Sequence, residues 1–63
     1  MKLSTIRTNK GFTQKEVATL LGLKRSTVAM WETGKCKPDI LTVAKIAKAL
    51  DVSVEEIINC FKE

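Results

Sequence analysis

The chain has 63 residues, a formal net charge of +4, a hydrophobic content of 44% and no histidine. A chain of this length forms one domain at most, and we expect residues 1–63 to be that domain. No apolar run approaches the roughly 18 residues of a membrane span and no signal peptide is recognisable, so we expect a soluble, cytoplasmic protein. Cys36 and Cys60 suit neither a disulfide framework nor a zinc site, and we expect two reduced thiols and no metal.

The positive charge is concentrated in the first part of the chain. Residues 1–37 contain eight Lys or Arg and two acids, whereas residues 38–63 contain three Lys or Arg and five acids. A mild excess of lysine is most often a solvated surface, so this distribution points to a polyanionic partner without establishing one.

Apolar residues recur along the chain at the 3.6-residue spacing of helices, which predicts an all-α fold. A first helix is predicted over about residues 2–9. The capping box of Thr13 and Glu16 opens a second helix, which ends at Gly22. A third helix is predicted over about residues 25–33. The inward-facing residues of these three helices are predicted to be Leu3, Ile6, Val17, Ala18, Leu21, Val28 and Trp31.

Two further helices are predicted after a basic loop. Asp39 caps the fourth, and Ser53 with Glu56 forms a capping box that opens the fifth. Their inward-facing residues are predicted to be Ile40, Val43, Ile46, Ala47, Leu50, Val54, Ile57 and Ile58. Cys60 and Phe61 continue the apolar side to the chain end, where we expect little core to receive them and a partner to cover them instead.

The joint between the second and third helices is short and contains Gly22. A turn of about three or four residues forces the two helix axes to cross steeply, as in a helix-turn-helix core, here over about 13–33. Ala18 is small enough for a close crossing, and Gly22 tolerates positive φ. Val28 supplies a branched apolar anchor on the inner face of the third helix. Three separate demands of this geometry are therefore met in register.

These features resemble the helix-turn-helix domain of the lambdoid phage repressors and Cro proteins, the Cro/C1-type (XRE-like) family of bacterial and phage regulators. The likeness covers nearly the whole chain. It rests on TQKEVATLLGL at 13–23, WETGK at 31–35 and LTVAKIAKALDVSVEEI at 41–57, together with Arg7, Gly11 and Pro38. The resemblance implies a compact, five-helix, lambda-repressor-like fold whose third helix lies in the major groove of DNA.

The resemblance also implies roles for individual positions. The residues implied to contact DNA bases are Arg25, Ser26, Thr27 and Met30. Those that match phosphate-contacting positions of the family are Gln14, Lys35 and Lys37. Arg7 and Glu32 match a pair that in relatives forms an ion pair between the first and third helices. No cofactor is implied.

Lys24 and Arg25 stand in an unusual place, at the positive end of the third helix. That end prefers acidic or hydroxyl residues, so two cations there are unfavourable in the protein alone. Beside phosphates and guanine edges their charge is matched. Relatives usually carry Ser or Thr at position 24, so we expect the loss of an N-cap and a phosphate contact from Lys24 instead.

Several of these residues also have plainer interpretations. Arg25 suits a solvent-exposed charge, although its position favours DNA contact. Ser26 suits a secondary N-cap, and Met30 suits either a thymine methyl contact or a tolerated surface position. Trp31 lies three residues from Val28, so core packing is favoured over base stacking.

The combined interpretation is a sequence-specific, double-stranded DNA-binding transcriptional regulator, and specifically a repressor. We expect no enzyme, since the chain lacks histidine, a nucleophile with a base and a phosphate-binding glycine loop. The alternative is a protein-interaction module, such as an antitoxin or accessory subunit that shares the fold.

A single recognition helix reads few base pairs, so we expect a homodimer on a palindromic operator. The residues expected to join the two copies are Ile58 and Phe61, which lie away from the basic part in sequence. We also consider a regulatory protein partner.

Overall fold

The computed structural model describes residues 2–62, and within them it contains five α-helices and no strand. The helices are α1 (Leu3–Asn9), α2 (Gln14–Leu21), α3 (Arg25–Thr33), α4 (Ile40–Leu50) and α5 (Val54–Cys60). The prediction of an all-α, five-helix fold is confirmed. No helix in this part of the chain is both long and apolar enough to cross a membrane.

Local hydrogen bonds define where three of the helices begin. The Thr13 hydroxyl accepts from the Glu16 amide at 3.1 Å, and the Glu16 carboxylate accepts from the Thr13 amide at 2.9 Å, which completes the capping box of α2. The side chains of Asp39 and Ser53 each accept from the amide three residues later, at 2.8 and 3.1 Å. Each such cap stabilises a helix by about 1 kcal/mol, so these starts are specified by the local sequence.

The core draws on all five helices. An isolated helix of this length is marginal in water, so each depends on the apolar face that it buries against the others. The buried residues are Leu3, Ile6, Val17, Ala18, Val28, Trp31, Val43, Ile46, Ala47, Leu50 and Ile57. Trp31 is 5% exposed, which confirms its prediction as a core residue.

Three residues predicted to face inward are exposed instead. Ile40 is 65% exposed, Val54 41% and Ile58 37%. Ile40 and Val54 are the first residues of α4 and α5, where side chains tilt toward the N-terminal end and project beyond the helix contact. Ile58 follows the buried Ile57 and is turned about 100° around the helix axis from it, away from the core.

The end of α5 also differs from expectation. Cys60 and Phe61 are half-buried and pack against the core, so the expectation that little core remains for them is wrong. Phe61 lines the same groove as Leu3 and Trp31, because the last turn of α5 lies beside the start of α1 and the end of α3. Both cysteines are free thiols.

The joint between α2 and α3 has the geometry predicted for it. Gly22 adopts the left-handed conformation, with φ 70° and ψ 29°, and caps α2. The Leu23 amide donates to the Ala18 carbonyl at 2.8 Å, which turns the chain directly into α3. Ala18 is 2% exposed and Val28 is fully buried, so the inner face of α3 lies tightly against the core. The opposite face of α3 is thereby presented outward.

Candidate functional site

The outer face of α3 is a continuous exposed surface. Arg25, Ser26 and Met30 are exposed, while Thr27 is half-buried. Val28 on the inner side is fully buried and packs α3 against the core. Three of the four residues implied to contact bases are therefore accessible along one side of one helix.

The first turn of α3 lacks a side-chain cap. Lys24 is the N-cap residue, in an extended conformation, and makes no capping hydrogen bond. The expected loss of the N-cap is therefore present in the structure, and Ser26 does not replace it. The amide donors at this end remain free of a side-chain acceptor, next to the exposed Lys24 and Arg25. An approaching anion meets backbone donors and positive charge together.

A second group of cations follows the other end of α3. Gly34 is left-handed, with φ 81°, and the Lys35 amide donates to the Met30 carbonyl at 3.0 Å. This turn leads into a loop in which Lys35 and Lys37 are exposed. The two groups of cations flank α3, which is nine residues and therefore about 13 Å long.

An ion pair joins α1 to α3 behind this surface. Arg7 Nε lies 2.6 Å from Glu32 Oε2, and Arg7 Nη2 donates to Glu32 Oε1 at 3.2 Å. The side chains are only 13% and 8% exposed. Arg7 Nη1 also donates to the Phe12 carbonyl at 2.7 Å, which holds the loop before α2. The structure thus contains the pair that the family resemblance implies.

Gln14 connects this pair to the outer surface. Its Nε2 donates to Glu32 Oε1 at 2.9 Å, and its Oε1 accepts from Arg25 Nη1 at 3.1 Å. A continuous series of hydrogen bonds therefore runs from Arg7 through Glu32 and Gln14 to Arg25. Neither contact of Gln14 follows from the sequence, in which the family resemblance implies only a phosphate contact for this residue. One amide hydrogen of Nε2 remains for another acceptor.

The carboxyl group of Glu32 is kept ionised by its neighbours. Burial by itself raises the pKa of Glu32, but the hydrogen bonds from Arg7 and Gln14 and the Arg7 charge together outweigh it and lower the pKa below the ordinary value of 4.5. At neutral pH Glu32 is therefore an acceptor only.

Phe61 lies closer to the basic residues than its sequence position suggests. It lines an open groove of about 380 Å³ together with Lys37, Lys2 and Lys62. Phe61 is distant in sequence from Lys37 but lines the same groove, because α5 returns to the end of α3 from which the basic loop departs. Of the two residues expected at a dimer interface, Ile58 is the more exposed.

Comparisons with known proteins agree with this geometry. The helix-turn-helix family model matches residues 3–57. The chain is 35% identical over 58 residues to the SPbeta prophage-derived uncharacterized HTH-type transcriptional regulator YonR of Bacillus subtilis, covering 92% of this chain and 54% of that protein. It is 33% identical to the HTH-type transcriptional activator BcrR of Enterococcus faecalis over 92% of this chain and 28% of BcrR.

A third relative is matched over most of its length. The uncharacterized HTH-type transcriptional regulator MJ0272 of Methanocaldococcus jannaschii is 38% identical over 56 residues, which cover 89% of this chain and 85% of that protein. In contrast, the chain spans about half of the length of YonR and less than a third of that of BcrR.

Proposed function

The chain belongs to the Cro/C1-type helix-turn-helix family, and from that premise we propose that it binds double-stranded DNA sequence-specifically and represses transcription. The observation that carries the proposal is the outer face of α3, with an uncapped, cationic N-terminus and a pair of lysines beyond its C-terminus. A helix exposed in this way fits the major groove, and its flanking cations reach the phosphates on either side. Repression needs only that the bound domain occupy its DNA.

Base contacts are assigned to the exposed face of α3. Arg25 carries a forked donor that matches O6 and N7 of guanine. Met30, at 38% exposure, offers an apolar surface to a thymine methyl group. Ser26 and Thr27 supply hydroxyls between them. These side chains read sequence, whereas other contacts hold the helix in place.

Phosphate contacts are assigned to four residues around α3. Lys24 lies at its N-terminal end and Lys35 and Lys37 in the loop after its C-terminal end. Gln14 begins α2 and has a remaining amide hydrogen for a phosphate oxygen. Contacts at both ends of α3 fix its register in the groove.

The functional unit is proposed to be a homodimer on a palindromic operator. One α3 contacts only a few base pairs, whereas two copies related by a two-fold axis read two half-sites about 34 Å apart. Ile58 and Phe61 are the proposed contact residues. Because Phe61 lines a groove with Lys37, the interface would adjoin the phosphate-contacting loops. A cytoplasmic location is proposed with this function, and a regulatory protein is a further proposed partner.

Selection from a random DNA pool tests this function. The protein is expected to enrich a two-fold symmetric sequence, and its affinity for that sequence is expected to fall steeply as salt is raised. Enrichment of no sequence, with equal binding to all duplexes, would contradict sequence-specific recognition. Binding to no duplex at all would favour the protein-interaction module instead.

A further inference from the structure

Resting on the proposed DNA-binding function, we propose that Glu32 is a positioning residue for base recognition: acting through Gln14, it holds the guanidinium of Arg25 in the orientation that reads a base. Glu32 itself lies on the side of α3 that faces the Arg7 guanidinium, with its side chain 8% exposed. Its effect on DNA recognition therefore passes through the side chain between them.

Glu32 provides a fixed acceptor. Arg7 binds both of its carboxylate oxygens, Oε2 through Nε and Oε1 through Nη2. Paired donors of this kind restrict a carboxylate in both position and plane. Oε1 is consequently held in one place, and it is this oxygen that accepts from Gln14.

The fixed carboxylate determines which way the Gln14 amide points. An ionised carboxylate accepts hydrogen bonds only, so it selects the NH₂ end of the Gln14 amide. The carbonyl end then faces outward, where Arg25 Nη1 donates to it at 3.1 Å. A guanidinium donates only, so the opposite orientation of the amide would place acceptor against acceptor at Glu32 and donor against donor at Arg25. A single arrangement of the three side chains satisfies every group.

A neutral amide in this position orients Arg25 without neutralising it. A carboxylate in direct contact with Arg25 would compete with DNA for its charge. Here the negative charge of Glu32 is matched by Arg7, and the contact to Arg25 comes from a carbonyl dipole. Arg25 therefore keeps its full charge for DNA.

Restricting an exposed arginine favours base discrimination. A free arginine side chain loses rotamer freedom when it is immobilised, and prior ordering reduces that loss on binding. An ordered fork also meets guanine in a defined plane, whereas a mobile one reaches neighbouring phosphates equally well. Restriction of Arg25 is therefore expected to affect the preference for one base over another more than the overall affinity for DNA.

Three variants separate positioning from stability. Glu32→Gln makes the acceptor neutral and allows either amide orientation, and Gln14→Leu removes the connection altogether. Each is expected to reduce the preference for the cognate base pair opposite Arg25 by about fivefold, the equivalent of one hydrogen bond. Ser53→Ala is the matched control, since it removes the side-chain cap of α5 and lowers stability but leaves Arg7, Glu32 and Gln14 in place, and it is expected to leave the preference unchanged.

The preference is measured as a ratio of affinities. Binding of each folded variant to the selected operator is compared with binding to operators changed at that one base pair. In an Arg25→Ala background, Glu32→Gln is expected to change this ratio no further, because the side chain through which it acts is absent. Equal ratios for wild type and Glu32→Gln, with only lower stability, would overturn the positioning role. A further change in the Arg25→Ala background would overturn the route through Arg25.

A measurement without DNA tests the same contacts. Nuclear magnetic resonance of the Arg25 guanidinium in the free protein is expected to show slowed rotation of the Nη groups, and faster rotation in Gln14→Leu and Glu32→Gln. Unrestricted rotation in the wild type would overturn the proposal even if DNA binding is specific. Restricted rotation in a protein that selects no DNA sequence would instead overturn the proposed function and leave the contact intact. If Glu32→Gln fails to fold, Gln14→Leu still allows both the affinity ratio and the rotation of the Arg25 guanidinium to be measured.

Discussion

Arg7 and Glu32 form a two-point ion pair between α1 and α3, with Nε 2.6 Å from Oε2 and Nη2 3.2 Å from Oε1. Both side chains are largely withdrawn from solvent, at 13% and 8% exposure. Removing one partner from such a pair leaves the other charge uncompensated in a poorly solvated position. The pair thus ties α1 to α3, and its loss has a measurable cost.

Arg7→Met is therefore expected to lower the free energy of unfolding by about 3 kcal/mol. Urea denaturation measures the loss. Lys10→Met, which removes an exposed lysine just after α1, is the control and is expected to change stability by less than about 0.5 kcal/mol. A double-mutant cycle between Arg7 and Glu32 that shows no coupling energy would contradict the account.

Stability is expected to fall on acidification through Glu32. Its pKa is lower in the folded chain than the ordinary value of 4.5. The contribution of the Glu32 carboxylate to stability is therefore complete above pH 4.5, the ordinary pKa. It is lost as the pH falls below 4.5 through the pKa of the folded state. Urea denaturation at several pH values between about 3 and about 6 measures this.

Glu32→Gln is expected to flatten that part of the pH profile. Asp39→Asn provides the comparison, because the hydrogen bonds from Thr42 lower the pKa of Asp39 as well. Asp39→Asn is expected to remove the contribution of Asp39 to acid sensitivity and to leave that of Glu32. An unchanged pH profile in Glu32→Gln would assign the acid sensitivity to other groups.

Lys37→Ala is expected to weaken binding to all DNA sequences alike. Loss of one phosphate contact reduces the slope of log affinity against log salt by about 1. Fluorescence anisotropy at a series of salt concentrations measures that slope. Lys48→Ala removes the same charge from an exposed position in the last turn of α4 and is expected to leave the slope nearly unchanged. Equal slopes in wild type and Lys37→Ala would remove Lys37 from the interface.

Arg25→Ala is expected to weaken cognate binding by about 1 to 3 kcal/mol and to relax preference at one base pair. Its guanidinium is exposed at the start of α3 and is the group that we propose reads that base pair. Lys35→Ala, in contrast, is expected to affect cognate and scrambled DNA equally. Competition binding against operators changed one position at a time distinguishes them. An equal loss on both kinds of DNA in Arg25→Ala would make Arg25 a phosphate contact only.

Ile58→Asp tests the proposed dimer. Ile58 is 37% exposed, so a carboxylate there is tolerated in the monomer, whereas Phe61→Asp would also disturb the packing of α5. The variant is expected to keep its helical circular dichroism and to bind a full operator no better than a half-site. Sedimentation and operator titration provide the measurements. Full-operator affinity equal to that of the wild type would place the interface elsewhere.

The sequence alone determines the features that arise within one or two helical turns. Thr13 and Glu16 are three residues apart, so their capping box forms wherever α2 forms, and Gly22 is suited to the left-handed turn after it. Val28 and Trp31 share one face of α3 by their spacing, and both are buried. These interactions depend on backbone geometry that is the same in every helix, which makes them predictable.

Tertiary structure alone decides contacts that depend on how helices cross. Gln14 and Arg25 are 11 residues apart, and Gln14 and Glu32 are 18 apart. Their hydrogen bonds exist only because the turn at Gly22 brings the start of α2 beside α3. The exposure of Ile40 and the burial of part of Phe61 likewise follow from where each helix end meets its neighbours. Apolar spacing assigns a face to a helix, but the extent of that face covered by other helices is set by their lengths and crossing angles.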